Sequence, residues 1–272
     1  MKLRELYTVL KDVLKEASES PGSEALSILS KVTSQTRERL LMNFEEEIDE
    51  NVCQMAISLS KKRANGYPLQ YITERCYFHG LELYVCEGVF VPRIETELLV
   101  DLALELIEER SFKVVADIGT GTGCIAIAIA LESQCEVFAT DVSERALETA
   151  RRNIERYKVH VQLLKGAYLA PLRSVLNDVQ LIVSNPPYVS TRAELPADVK
   201  KEPHEALFAG EDGLEFYRNF FSDPSLLARK TIIMEMSPEQ EGPLRDLLKG
   251  LGTRTFLKDQ FSRTRFFRLD VA

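Results

Sequence analysis

Apolar positions recur at helical spacing from the start of the chain. Leu3, Leu6, Tyr7, Leu10 and Leu14 share one face of an amphipathic helix. Ser20-Pro21-Gly22 is expected to break it. A second periodic piece holds Leu26, Leu29 and Val32, and a third centres on Leu40, Leu41 and Phe44. The next helix places Val52, Met55, Ala56 and Leu59 on one side. It ends in Lys61-Lys62-Arg63, with Gly66 just beyond, so cations face the negative end of the helix dipole. Residues 1–75 therefore read as a small helical bundle.

The period then changes. Leu81, Leu83 and Val85 alternate with Glu82 and Tyr84, and Gly80 and Gly88 mark turns, so 76–92 reads as a β-hairpin linker closed by Pro92. A helix from Thr96 puts Leu99, Leu102, Ala103, Leu106 and Ile107 on one side. From Lys113 strands and helices alternate. Strands are expected at 114–118, 136–140, 159–164, 179–183, 230–236, 253–257 and 264–269. The last two lie too close for an intervening helix and should form an antiparallel hairpin. Residues 93–272 thus predict an α/β domain around a seven-stranded sheet.

Two strand ends carry candidate chemistry. Gly119-Thr120-Gly121-Thr122-Gly123 turns the first buried strand into a helix. Glycine lets the backbone crowd a ligand, and the helix start adds oriented N–H groups. Asp141 closes the next strand about 20 residues on, where a ribose-binding carboxylate belongs. A dinucleotide fingerprint would need glycine at 124, which is Cys124, and no Gly-Lys-Ser/Thr follows to make a P-loop. The second place is Ser184-Asn185-Pro186-Pro187-Tyr188, beyond the strand 179–183. Two prolines stiffen the loop. The Asn185 side-chain oxygen and a proline-locked carbonyl are both acceptors, suited to a planar NH2 group, and Tyr188 can cover its flat face.

Composition narrows the readings further. With 34 basic and 42 acidic residues the net charge is -8, which counts against duplex nucleic acid as the main partner. The five cysteines include no Cys-x-x-Cys pair, and the three histidines are far apart, so neither a disulfide framework nor a metal site is expected. The chain opens without a signal-peptide core and has no apolar run of bilayer length, which predicts a cytoplasmic protein free of the membrane.

Alternate glycines at 119, 121 and 123 have the spacing of methyltransferases that bind S-adenosylmethionine. Over nearly its whole length the chain resembles the HemK/PrmC family, which methylates the Gly-Gly-Gln glutamine of class 1 peptide chain release factors. The resemblance rests on Tyr67-Pro68-Leu69-Gln70-Tyr71-Ile72, Val91-Pro92-Arg93-Ile94-Glu95-Thr96-Glu97, the glycine loop with Asp117-Ile118 before it, Ser184 to Val189, and Glu202-Pro203-His204-Glu205-Ala206-Leu207-Phe208. The second and last of these are the most particular to the family.

It implies a class I (Rossmann-like) methyltransferase domain over 93–272, with 1–75 as a substrate-docking domain. Gly119, Thr120, Gly121, Thr122, Gly123 and Asp141 would hold S-adenosylmethionine beside Asn185, with Tyr168 near the adenine. Asn185, Pro186, Pro187 and Tyr188 would grip the glutamine amide, with Asn185, Pro186 and Tyr188 catalytic. The implied partner is the release factor, met by a monomeric enzyme with no metal and no stable nucleic acid. Two residues depart from the pattern: Glu74 replaces a usual glycine, and Ala167 stands where an acid often lies near the adenine. The main rival is a methyltransferase for exocyclic amines of adenine or guanine, which present the same NH2 geometry. A non-catalytic nucleoside-binding protein and a nicotinamide-dependent oxidoreductase are further alternatives.

Overall fold

Leu3, Leu6, Leu10 and Leu14 line one side of α1 (Leu3–Leu14) and are all at most 1% exposed. Burying each contributes about 1.5–3 kcal/mol before conformational entropy is counted. α2 (Pro21–Thr33), α3 (Arg37–Met42), α4 (Glu50–Ala64) and α5 (Leu69–Thr73) close around them through Ile28, Leu29, Leu40, Ala56 and Ile72. The computed structural model describes residues 1–272 and divides into two compact units. These helices form the first, Met1–Arg75, which also takes in Leu195–Lys201; the second is Cys76–Glu194 with Glu202–Ala272.

Four details of the first unit differ from the sequence pattern. α1 stops at Leu14, and Pro21 opens α2 at its first turn, where the missing N–H has no partner to lose. On α4 the buried stripe is Cys53, Ala56 and Ser60, while Met55 is 57% exposed; small side chains let that helix approach closely. Leu41 likewise faces out, leaving Leu40 in the core. Arg63 does more than complement a dipole. Its guanidinium holds Glu24 through Nε (2.8 Å) and a second nitrogen (3.1 Å), and reaches Asp198 Oδ2 at 3.7 Å. Nearby, a Cβ on Gly66 would stand 2.7 Å from that of Ala197.

Glu74 ends α5 in the left-handed conformation, with φ 58° and ψ 30°. That is the turn a helix takes at its C-terminus, and it is cheap only for glycine. Here Glu74 Oε2 is held by Lys31 Nζ at 2.5 Å, half-exposed and of small energetic weight. Both Glu74→Gly and Glu74→Ala lose that pair, but only alanine keeps the steric cost. The glycine variant should be more stable than the alanine variant by about 1 kcal/mol in denaturant unfolding. Equal midpoints would mean that the turn carries no strain.

β1 (Arg75–Phe78), which starts on the last residue of the first unit, and β2 (Leu81–Tyr84) form a short hairpin. His79 and Gly80 both have positive φ, the two-residue turn that matches strand twist. The expected strand character ends at Tyr84, although Val85, Val89 and Val91 remain buried. The main sheet comprises β3 (Val114–Ile118), β4 (Glu136–Asp141), β5 (Val161–Lys165), β6 (Leu181–Ser184), β7 (Thr231–Glu235), β8 (Gly252–Lys258) and β9 (Thr264–Val271), in the order β5-β4-β3-β6-β7-β9-β8. Strands β3 to β7 run parallel; β9 is antiparallel to β7 and forms a hairpin with β8.

α6 (Glu97–Arg110), α7 (Cys124–Glu132) and α8 (Glu144–Tyr157) pack beside one another and against the parallel strands. Ala116, Ile118, Ile182, Ile232 and Met234 enter a second core with Tyr217 and Phe220 of α10 (Glu215–Phe220) and Leu244 of α11 (Glu241–Leu247), α9 being the single turn His204–Leu207. Covered on both faces, β3, β6 and β7 need the continuous apolar runs that marked them.

Candidate active site

β3 and β6 are neighbours, with Asp117 opposite Val183, and the strand order reverses between them. Outside the carboxyl ends of strands at such a reversal a crevice opens. The glycine loop leaves β3 there and Asn-Pro-Pro-Tyr leaves β6; Ser184 Oγ ties the two ends by donating to Ile118 O at 2.6 Å. A cavity of about 330 Å³ occupies the spot, a size typical of small-molecule sites.

Gly119, Thr120, Gly121, Thr122, Asp141, Tyr168, Asn185 and Pro187 all reach the cavity wall. Gly123, Pro186 and Tyr188 do not. A Cβ on Gly123 would lie 3.2 Å from Ala150 Cβ, so this glycine lets α7 pack on α8. Pro186 is buried behind the wall. Gly119 and Gly121 behave differently: their φ values are +74° and +56°, and a Cβ on either would project into open space. That space is where a ligand can approach the backbone.

The end of β4 fixes the loop. Gly119 and Thr120 N–H groups both donate to Thr140 O at 2.9 Å. Gly121 N–H donates to Asp141 Oδ2 and Ser143 N–H to Oδ1, each at 2.9 Å. Each Asp141 oxygen therefore keeps lone-pair capacity for a further donor. Burial pushes its carboxyl above the usual range, against those backbone bonds. On another wall the rings of Tyr168 and Phe216 lie 5.2 Å apart, tilted by 55°.

Asn185 enters a buried polar chain. Its Nδ2 donates to Thr96 Oγ1 (2.8 Å), and Thr96 donates to Glu235 Oε2 (2.7 Å). Tyr188 donates its hydroxyl proton to Glu235 Oε1 (3.0 Å), and Tyr217 donates to Glu235 O (2.6 Å). Burial, then Glu235, keeps the Tyr188 hydroxyl protonated far above ordinary pH. Gln240 Nε2 holds Tyr188 O at 3.0 Å, so both ends of Tyr188 are anchored. Its ring is thus held from both ends beside the loop and does not itself line the cavity.

The two most distinctive sequence segments meet here. Glu202 pairs with Arg93 and accepts from Val91 N–H at 3.0 Å, while Val189 N–H donates to Leu207 O at 2.8 Å. Pattern reading gave no role to Thr96, Glu235, Phe216 or Glu205, of which Thr96, Phe216 and Glu205 line the cavity. The one usable signal was an acid, Glu235, closing the apolar run 231–235.

A sheet in this order, with its crevice at the β3/β6 reversal, is that of the class I methyltransferases. The N-terminal domain of human METTL16 in complex with SAH has the same fold at TM-score 0.55, aligned over 89% of this chain and 93% of that one at 16% identity. Sequence comparison goes further. The family model described as PrmC N-terminal domain matches residues 5–73, and that described as Methyltransferase small domain matches 86–206. The release factor glutamine methyltransferase of Moorella thermoacetica is 37% identical over 92% of this chain and 91% of its own length. That of Deinococcus radiodurans is 35% identical over 98% of each. The chain belongs to the release factor glutamine methyltransferase family and is an S-adenosylmethionine-dependent enzyme. The open faces of Gly119 and Gly121, the spare acceptor capacity of Asp141 and the aromatic wall fit that cofactor.

Proposed function

We propose that this enzyme methylates the side-chain amide nitrogen of the Gly-Gly-Gln glutamine in class 1 release factors. Besides membership of the family, one observation carries the reading. Asn185 spends its NH2 on Thr96, which leaves Oδ1, an acceptor, for a ligand at the cavity wall. S-adenosylmethionine, when bound, supplies an electrophilic methyl group on a sulfonium. Gly119, Gly121 and Asp141 would hold it, Asp141 taking ribose hydroxyls and the Tyr168–Phe216 wall the adenine.

An amide nitrogen is a poor nucleophile because its lone pair is delocalised. Asn185 Oδ1, at the wall, would accept an N–H of the glutamine and aim its nitrogen at the methyl group. Such positioning contributes about 7–11 kcal/mol when attack geometry is near ideal. The same acceptor favours the positive charge that nitrogen gains as the C–N bond forms and the C–S bond breaks. The proton then leaves nitrogen to solvent, since an N-protonated amide is strongly acidic. To the helical unit, none of whose residues lines the cavity, we assign docking of the release factor.

The test is incubation with labelled S-adenosylmethionine and purified release factor, followed by peptide mapping. Label on the Gly-Gly-Gln glutamine is expected; label on tRNA, rRNA or DNA with none on the factor would overturn the reading. In the same assay a short Gly-Gly-Gln peptide should be a much poorer substrate than the intact factor. Equal kcat/KM would leave docking no part.

Asp141→Ala should weaken S-adenosylhomocysteine binding by about 1.5–3 kcal/mol in calorimetric titration, the loss typical of charged hydrogen bonds. Part of that loss would come through Gly121, whose N–H loses its partner. An unchanged affinity would place the ribose elsewhere.

A further inference from the structure

Glu235 stands behind the cavity wall and reaches the expected acceptor site only through Thr96 and Tyr188, while Thr96 meets the wall beside Asn185. Both are nevertheless almost wholly buried, at 1% and 2% exposure. A carboxylate at the end of a central strand is costly to bury unless its oxygens are satisfied. Here each carboxylate oxygen has a hydroxyl donor, Thr96 on one and Tyr188 on the other. The proton positions that follow are determined by counting. An ionised carboxylate only accepts, and a hydroxyl has one proton to give. Once Thr96 gives its proton to Glu235, only lone pairs remain for the atom 2.8 Å away on Asn185. That atom must be the NH2 group, and the side-chain carbonyl must be the atom left for the ligand.

An asparagine amide is nearly symmetric in shape, so nothing steric prevents a half-turn. Turned the other way, Asn185 would offer two donors to an acceptor group that itself consists of two N–H donors. The geometry points to Glu235 and Thr96 as positioning residues: Glu235, acting through the Thr96 hydroxyl, locks the Asn185 amide with its oxygen towards the group to be methylated. This rests on the reading that the acceptor is a planar NH2 group. Burial raises the Glu235 carboxyl above its usual range, opposed by the Thr96 and Tyr188 hydroxyls and by Arg265, while Glu95 adds to the rise; the proton arrangement above is that of the ionised form.

The lock has a distinctive chemical signature, because only a hydroxyl at position 96 can relay it. Thr96→Ser keeps the relay and should stay within about threefold of the parent kcat. Thr96→Val keeps the volume and removes the relay. It should lower kcat by about 10²-fold while KM for release factor and affinity for S-adenosylhomocysteine move less than about threefold. Glu235→Gln puts one amide where two oxygens stood, so either Thr96 or Tyr188 faces an N–H. It should lower kcat by about tenfold or more with cofactor affinity kept, which also shows that the variant is folded.

Steady-state methylation and cofactor titration of the three variants beside the parent enzyme decide the matter. Parent-like kcat in Thr96→Val, or equal loss in Thr96→Ser and Thr96→Val, would overturn the proposal and reduce Thr96 to packing. The parent enzyme, assayed alongside, tests the substrate reading separately. If its label falls on a nucleic-acid amine instead, the same variants still test the lock, since that acceptor is also an NH2 group.

Discussion

Asn185→Ala should turn over release factor about 10²–10³ times more slowly than the parent, a loss of roughly 3–4 kcal/mol of transition-state stabilisation. The expectation follows from the position of Oδ1, held by a neighbour that fixes the NH2 end and stiffened by the two prolines after it. Because the acceptor oxygen opposes charge that appears only as the methyl arrives, kcat should fall more than KM rises. Cofactor affinity should change by less than about tenfold, since the glycine loop and Asp141 are untouched. Asn185→Asp is the stricter test. It supplies an acceptor towards the ligand, but its second oxygen would face the Thr96 lone pairs at 2.8 Å with Glu235 behind them. It should therefore be no better than alanine. An aspartate variant close to the parent would show that acceptance alone suffices and that the Thr96 contact is idle.

The stability of the cofactor-free enzyme should fall between pH 5 and pH 8 because of Asp117. Its carboxyl is buried, with one oxygen accepting from Thr120 Oγ1 at 2.6 Å and the other without a partner. Burial pushes its pKa up to about 7, with Thr120 and the nearby Ala126 N–H, which falls short of a well-formed hydrogen bond, opposing and Asp141 adding to the shift. A carboxyl in the unfolded chain titrates near 3.9. Between those values the folded protein holds a proton that the unfolded chain has released, so unfolding becomes easier as pH rises. The contribution is complete below about pH 4 and is lost as pH passes through about 7, roughly 4 kcal/mol in all, more than half of it between pH 5 and 8. Denaturant unfolding of the parent and of Asp117→Asn at both pH values checks it. The variant should show a flatter profile; parallel profiles would mean that Asp117 stays ionised in the fold.

What the sequence made legible had a local cause. Glycines at positive φ and paired prolines are conformational requirements that composition must record, so both loops could be placed before any fold was known. Strands β3, β6 and β7 were readable because burial on both faces keeps their runs mostly apolar, with Asp117 the one charged residue in their interior. The supports of the site left no such trace. Thr96 looks like the cap of a helix and Glu235 like the end of a strand, yet they meet across 139 positions of chain. Arg63 resembled any cation in a last helical turn until Glu24 was found beside it. On α4 the stripe was misplaced because size, more than hydrophobicity, decides which face fits a tight interface: Cys53, Ala56 and Ser60 go in, Met55 stays out. Glu74 shows the converse case, a conformation glycine would suit, taken by a residue that hides the need for it.

The seven residues Leu195–Lys201 belong to the helical unit, although the chain on either side of them belongs to the transferase. The two parts are therefore not beads on a string that recombination could exchange at a single joint. A foreign helical domain grafted on at residue 75 would have to accommodate Ala197 and Asp198, whose matching positions, Gly66 and Arg63, would have left with the old domain. The excursion starts seven residues after Tyr188 and ends immediately before Glu202, the partner of Arg93. A mismatch there would fall on the segment that joins the acceptor loop to its clamp. An exchange of the helical domain would thus have to carry the segment Leu195–Lys201 with it.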